Sequence, residues 1–142
     1  MTQDIQFNPE TAESAFRFLI ERGFTLEERW VTGGNSFRGG WRHSYQSPAV
    51  RVVVQYLDMQ FEVQFQNGIT TASYLVIDRE FFGRRSGFHG DLCPPDKLEG
   101  AVVRIAKDIM QNYDRILSGD DHEWDQIARL GTPKAPSRRV PD

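Results

Sequence analysis

Residues 50 to 66, VRVVVQYLDMQFEVQFQ, constrain this chain more than any other stretch. Val50, Val52, Val54 and Tyr56 alternate along one side, and Phe61, Val63 and Phe65 resume the alternation after a break at Asp58-Met59. Two runs with a period of two, separated by two residues, read as an antiparallel hairpin. With Asp58 and Met59 as the turn, Tyr56 falls opposite Phe61, Val54 opposite Val63 and Val52 opposite Phe65. All six then share one face, while Arg51, Gln55, Glu62, Gln64 and Gln66 share the other. A slip of one residue would bury the polar set, so the pairing is expected to be unique. Each of the six side chains contributes roughly 1.5–3 kcal/mol on burial, before chain entropy is subtracted.

Other elements arrange themselves around that hairpin. Asn8 and Pro9 suit a helix start and Gly23 a left-handed stop, with Ala12, Ala15, Phe16, Leu19 and Ile20 forming an apolar stripe between them. Phe24, Leu26 and Trp30 alternate in a first strand over 24–32, with Glu28 out of place on the apolar side. Two glycine pairs then bracket GGNSFRGG, and Trp41, His43 and Tyr45 alternate in a second strand that Ser47-Pro48 ends. Asn67-Gly68 marks a turn before an expected fifth strand, Ala72 to Asp78. Residues 79–96 show no period and read as a long surface loop. Beyond it Leu98, Val102, Ile105, Ile109, Tyr113 and Ile116 step by three or four in a long helix, capped by Asp96 and ended by Gly119. Asp120 or Asp121 can cap a short helix holding Trp124, Ile127 and Leu130.

The expected fold class is therefore α+β. An N-terminal helix, an antiparallel meander of about five strands, a long C-terminal helix and a short one pack with the helices on one face of the sheet. Residues 1–131 are expected to form a single domain, and residues 132–142 a flexible tail. At 142 residues the chain is long enough to bury a core without disulfides, and it has one cysteine, Cys93. No apolar run approaches the roughly 20 residues that span a bilayer, and residues 1–10 lack an export-signal pattern, so a cytoplasmic location away from membranes is expected.

Candidate chemistry is sparse. GGNSFRGG lacks the Lys-Ser/Thr that closes a phosphate loop, since Gly40 leads into Trp41 and Arg42. Cys93 with His89 and Asp91 falls short of the four ligands of a structural zinc site, and no second cluster completes it, so no metal or cofactor is expected. No G-x-S-x-G elbow occurs, which leaves catalysis without a signature. A polar pocket lined by His43 or His89 would be the sign of an enzyme or ligand carrier. Residues 81–90, FFGRRSGFHG, interleave phenylalanines with Arg84 and Arg85. Together with Arg38 they form a nucleic-acid-binding candidate, against which stands a net charge of −3.

The most suggestive segment is acidic. Six carboxylates, Asp108, Asp114, Asp120, Asp121, Glu123 and Asp125, against Arg115 alone give residues 108–125 a charge of −5. Asp120, Asp121, Glu123 and Asp125 surround Trp124, so the indole is either the anchor of a partner-binding site with an acidic rim or a core residue beneath a capped helix.

Phe18-Leu19 followed by Gly23-Phe24, the strand positions Val52, Val54, Leu57 and Asp58, and Ile116-Leu117 followed by Gly119-Asp120 resemble small bacterial proteins of the immunity type. The resemblance covers most of residues 9–130. It implies a compact α+β domain that binds and neutralises a cognate protein toxin without a cofactor, and it carries over no toxin-contacting residue. A homodimer through a sheet edge or face stays open alongside it.

Overall fold

A computed structural model describes residues 9–32, 40–57, 59–83, 93 and 95–131. In chain order these form α1 (Pro9–Ala15), α2 (Arg17–Glu21), β1 (Thr25–Thr32), β2 (Gly40–Gln46), β3 (Arg51–Leu57), β4 (Gln60–Asn67), β5 (Thr70–Ser73), α3 (Tyr74–Val76) running into a π-helical turn (Ile77–Phe81), α4 (Pro95–Asn112), α5 (Asp114–Ser118) and α6 (Asp121–Gly131). The five strands make one antiparallel sheet in the order β1-β2-β3-β4-β5. Helices and sheet meet in a single buried cluster on one face, so the chain is α+β as expected.

The central hairpin has the register that its apolar spacing dictates. Tyr56 pairs with Phe61, Val54 with Val63 and Val52 with Phe65, and all six are buried. Leu57 pairs with Gln60, leaving a two-residue turn in which Met59 takes φ 63°. The inward rows extend across the sheet: the partly buried Leu26 with Tyr45, Val52, Phe65 and Ala72 forms one, and Trp41, Tyr56 and Phe61 another, which meets the exposed Val31 at the β1 edge. α4 lays Leu98, Ala101, Val102, Ile105, Ala106 and Ile109 into the same core.

Four expectations need correction. The N-terminal helix is two pieces, because Phe16 leaves helical geometry (φ −98°, ψ 14°) while burying its ring, and Ile20 ends up 46% exposed. The long C-terminal helix likewise breaks at Tyr113 (φ −107°, ψ 25°), whose ring lies 5.1–5.7 Å from those of Phe65, Tyr74 and Phe82. The fifth strand ends at Ser73, five residues early. Ser73 Oγ accepts the Val76 N–H at 3.2 Å and starts a helix, so Tyr74 and Ile77, three apart, both point into the core. An apolar run without a period fits either structure, and here the cap and core decide it. Finally, the expected loop begins as helix through Phe81, with Phe81 and Phe82 packed on the core.

Two glycines end helices in left-handed conformations. At Gly23 (φ 102°) the Phe24 N–H reaches the Leu19 carbonyl at 2.9 Å and the Gly23 N–H reaches Ile20 at 3.0 Å. At Gly119 (φ 79°) the Asp120 and Gly119 N–H groups bond the Arg115 and Ile116 carbonyls at 3.0 and 3.2 Å. This crossed pair of bonds satisfies carbonyls that a helix end leaves open, and it favours glycine at the left-handed residue. The two sites differ in space. A Cβ on Gly23 meets nothing within 4 Å, whereas one on Gly119 would lie 2.5 Å from the Ala49 Cβ. Gly23→Ala is expected to cost about 1–2 kcal/mol, the left-handed penalty alone. Gly119→Ala will cost more, and Ala49→Gly in the same chain will restore the difference. Urea unfolding of the three variants measures this.

Candidate functional site

The sheet has two faces with different roles, and β1 decides which side chains each receives. The register slips between Leu26 and Glu28, where β1 carries one extra residue opposite β2. Such a bulge inverts the side-chain alternation beyond it. Leu26 faces the core with its partner Tyr45, but Glu28 then pairs with Ser44 and Trp30 with Arg42 on the opposite face, while Arg29 pairs with the buried His43. The expectation that Trp30 shares the apolar face with Leu26 is thereby corrected, and the misplaced Glu28 is explained.

No helix among the described residues covers that opposite face. Its rows run Trp30, Arg42, Gln55, Glu62 and Glu28, Ser44, Val53, Gln64, Ser73, over roughly 19 Å across the five strands. The side chains hold one another. Arg42 stacks over the Trp30 ring at 5.3 Å while its Nε donates to Gln55 Oε1 at 3.2 Å. Ser44 Oγ donates to Glu28 Oε1 at 2.9 Å, Arg51 lies 3.8 Å from the same carboxylate, and Gln64 Nε2 donates to Glu62 Oε2 at 3.0 Å. Trp30 is 39% exposed and lies at the end of this lattice. Two arginines, Arg42 and Arg51, balance Glu28 and Glu62, so the face is polar but neutral. The free edge at β1 is blunted by its bulge and by Glu27, Glu28 and Arg29, and the other edge, β5, is four residues long.

The acidic segment has a different internal structure from the rim-and-anchor arrangement. Trp124 is 4% exposed and its indole Nε1 donates to the Ile116 carbonyl at 2.8 Å, which makes it a core residue. Asp120 caps α6, its Oδ1 accepting the His122 N–H at 2.9 Å. Glu123 lies 3.6 Å from Arg115 and Asp125 3.6 Å from Arg129, while Asp121 is exposed. Asp121 and Asp125 border a shallow depression of about 460 Å³ shared with Asn67 and Thr70. Arg38, Arg84 and Arg85 lie outside the described residues, as do His89 and Asp91. Cys93 is buried, with its N–H donating to the Met59 carbonyl and its carbonyl accepting the Tyr56 hydroxyl, both at 2.6 Å.

Comparison with protein-family models, curated proteins and solved structures finds no match to this chain.

On the covered face, β2 places three polar side chains in the core. Trp41 Nε1, His43 Nδ1 and the Tyr45 hydroxyl are buried without a hydrogen-bond partner among the described residues. Trp41 and His43 lie ring to ring at 5.1 Å. Above them α1 contributes Glu13, whose Oε1 accepts from Arg29 Nη2 at 2.7 Å. Burial lowers the His43 pKa, Glu13 opposes that shift and Arg29 adds to it. Burial and then Glu13 push the Tyr45 hydroxyl up to about 12, with Arg29 opposing. A cleft of about 440 Å³ opens beside α1 onto Tyr45, Glu13 and Arg17, and a larger groove of about 740 Å³ separates α1 from α4, where Val103 and Met110 are each 48% exposed. Sequence spacing foresaw the inward positions of His43 and Tyr45. It missed the Trp30-Arg42 stack, since only the bulge puts those side chains together. Among the described residues no three His, Cys, Asp or Glu side chains gather as metal ligands.

Trp124→Ala is expected to destabilise the fold by about 3–5 kcal/mol, and Trp30→Ala by about 1 kcal/mol or less, in urea unfolding. Because the folded state holds His43 neutral, an unfolded chain binds a proton that the native one refuses once pH falls below about 6.5. Stability will fall as pH is lowered through that window, and His43→Leu will flatten the dependence in thermal melts.

Proposed function

We propose that this chain is a non-catalytic binding protein, of the immunity-like kind that occludes a cognate toxin domain, and that the open sheet face is its contact surface. The observation that carries the reading is the locked lattice centred on Trp30 and Arg42. Tryptophan and arginine dominate binding hot spots because they bring large, rigid area together with directional donors. Arg42 is already held by Gln55 and the indole, so docking orders few further rotamers and loses less entropy. The polar surround is matched in pairs, with Glu28 serving Ser44 and Arg51, and can exchange those bonds for partner bonds at the rim. The acidic surface at Asp120, Asp121, Glu123 and Asp125 adds a field that steers a basic partner over a longer range. Trp124 takes no part in contact and supports α6 from below.

Among the described residues no helix is long and apolar enough to cross a membrane, and partner binding needs none. The test is co-expression of this chain with the toxin domain encoded immediately upstream. Growth rescue and a stable complex are expected. Trp30→Ala and Arg42→Ala should each weaken the complex by about 30-fold or more, as hot-spot truncations do, with melting temperatures close to the parent. Full protection by the doubly truncated chain, or lost protection only on charge reversal of Asp121 and Asp125, would move the contact off the sheet face. A chain that binds no neighbouring product and protects nothing removes the immunity-like reading.

A further inference from the structure

α4 carries two stripes. The first, Leu98, Val102, Ile105 and Ile109, is buried in the core. Val103 and Met110 lie outside that stripe, and each is 48% exposed. Seven residues apart, they project from the same side of the helix, and with Ala106 between them they continue a four-three spacing that starts at Glu99. This second stripe forms one wall of the groove of about 740 Å³ beside α1, where it faces Ser14 and Ala15. A single exposed apolar residue needs no partner, whereas two on one stripe beside a groove present a surface into which the ridge of another helix packs.

The charges on this stripe say which helix. Glu99 stands four residues before Val103 and Lys107 four residues after it, and both are exposed. Separated by about 12 Å along the axis, they are too far apart to pair with each other. Neither has an ion-pair partner among the described residues. A second α4 running antiparallel, related by a two-fold axis at Val103, brings Glu99 of each copy beside Lys107 of the other. Laid parallel and in register, the same two helices would set like charge against like, so charge selects the antiparallel pair. Gly100 is an independent pointer. It is exposed in the second turn of α4, where glycine is a poor helix former, and a Cβ on it would meet nothing within 4 Å. No contact among the described residues therefore calls for glycine. In the antiparallel pair Gly100 falls opposite Ala106 and beside Lys107 of the other copy, and its missing side chain lets the backbones approach while the lysine stem passes toward Glu99.

We propose that α4 is the interface of a symmetric antiparallel homodimer, centred on Val103 and closed at both ends by Glu99–Lys107 pairs. A two-fold interface requires one self-complementary patch, and this stripe is one. α4 lies on the covered side of the sheet, so both faces carrying Trp30 and Arg42 stay open, and the dimer rests on no part of the toxin-binding reading. The patch is small, which places the dimer among weak, transient associations.

Sedimentation velocity of the full chain, from low micromolar to submillimolar concentration, tests this. A reversible monomer–dimer equilibrium is expected. Glu99→Lys and Lys107→Glu should each raise the dissociation constant by about tenfold or more, because like charges then meet at both ends, and the double swap should return it to the parent value. Val103→Gln should weaken the dimer as well, with the melting temperature of the dilute chain close to the parent. Gly100→Gln should weaken it while the dilute chain melts at or above the parent temperature, since glutamine is the better helix former. Trp30→Ala should leave the dimer unchanged. A chain that stays monomeric throughout, a dimer indifferent to either charge reversal, a double swap no tighter than the single ones, or a dimer lost on Trp30→Ala overturns the proposal.

Discussion

The register of the β3–β4 hairpin is the constraint on which the rest of the molecule depends. Tyr56 against Phe61, Val54 against Val63 and Val52 against Phe65 set which sheet face is apolar, and every helix then has only one place to bury its stripe. The hairpin also anchors chain far from it in sequence. Its tip accepts the Cys93 N–H at Met59, and the Tyr56 hydroxyl donates to the Cys93 carbonyl, so the residue shortly before α4 is fixed at the hairpin's end. Two short bonds at one residue set where the long helix enters the core.

A second, smaller device distributes the polar chemistry. One extra residue in β1 turns Arg29 toward α1, where it pairs with Glu13, and turns Trp30 outward, where Arg42 covers it. Without the bulge, Glu28 would be pressed into the core, and the desolvation of an unpaired carboxylate would oppose the strand. The same insertion therefore relieves a misplaced charge and sets Arg29 against Glu13 on one side of the sheet and Trp30 against Arg42 on the other. Bulges recur beside functional surfaces for this reason: they re-aim side chains without disturbing the strands around them.

The two tryptophans show how burial and pairing separate structural from functional roles. Trp124 is buried and its indole N–H is satisfied by Ile116, the arrangement of a core residue. Trp30 is partly exposed, held from above by a cation and flanked by polar side chains. Four carboxylates within six residues surround the buried Trp124 in the sequence. Local charge density reports on a helix start as readily as on a binding site, because carboxylates are favoured there by the helix dipole and by capping. Asp120 does cap α6. Conversely, the spacing of Trp41, His43 and Tyr45 is that of an ordinary amphipathic strand, and only the packing reveals that their polar atoms find no partner among the described residues.

The sequence by itself determined the α+β class, the five-strand meander, the hairpin register and the left-handed glycine stops at Gly23 and Gly119. Each rests on a short-range rule: a period of two or three to four, or a backbone angle that only glycine adopts cheaply. Tertiary structure alone decided the rest. Tyr74 to Phe81 became helical because a serine cap and the core outweighed an apolar run that favoured neither form. The helices broke at Phe16 and Tyr113, where the rings are buried and that of Tyr113 packs on Phe65 from a distant strand. The bulge at Leu26–Glu28 arose from matching β1 to β2, and no local pattern announces it. The Trp30–Arg42 stack hangs on that bulge, which is why its residues were visible in the sequence while their association was not.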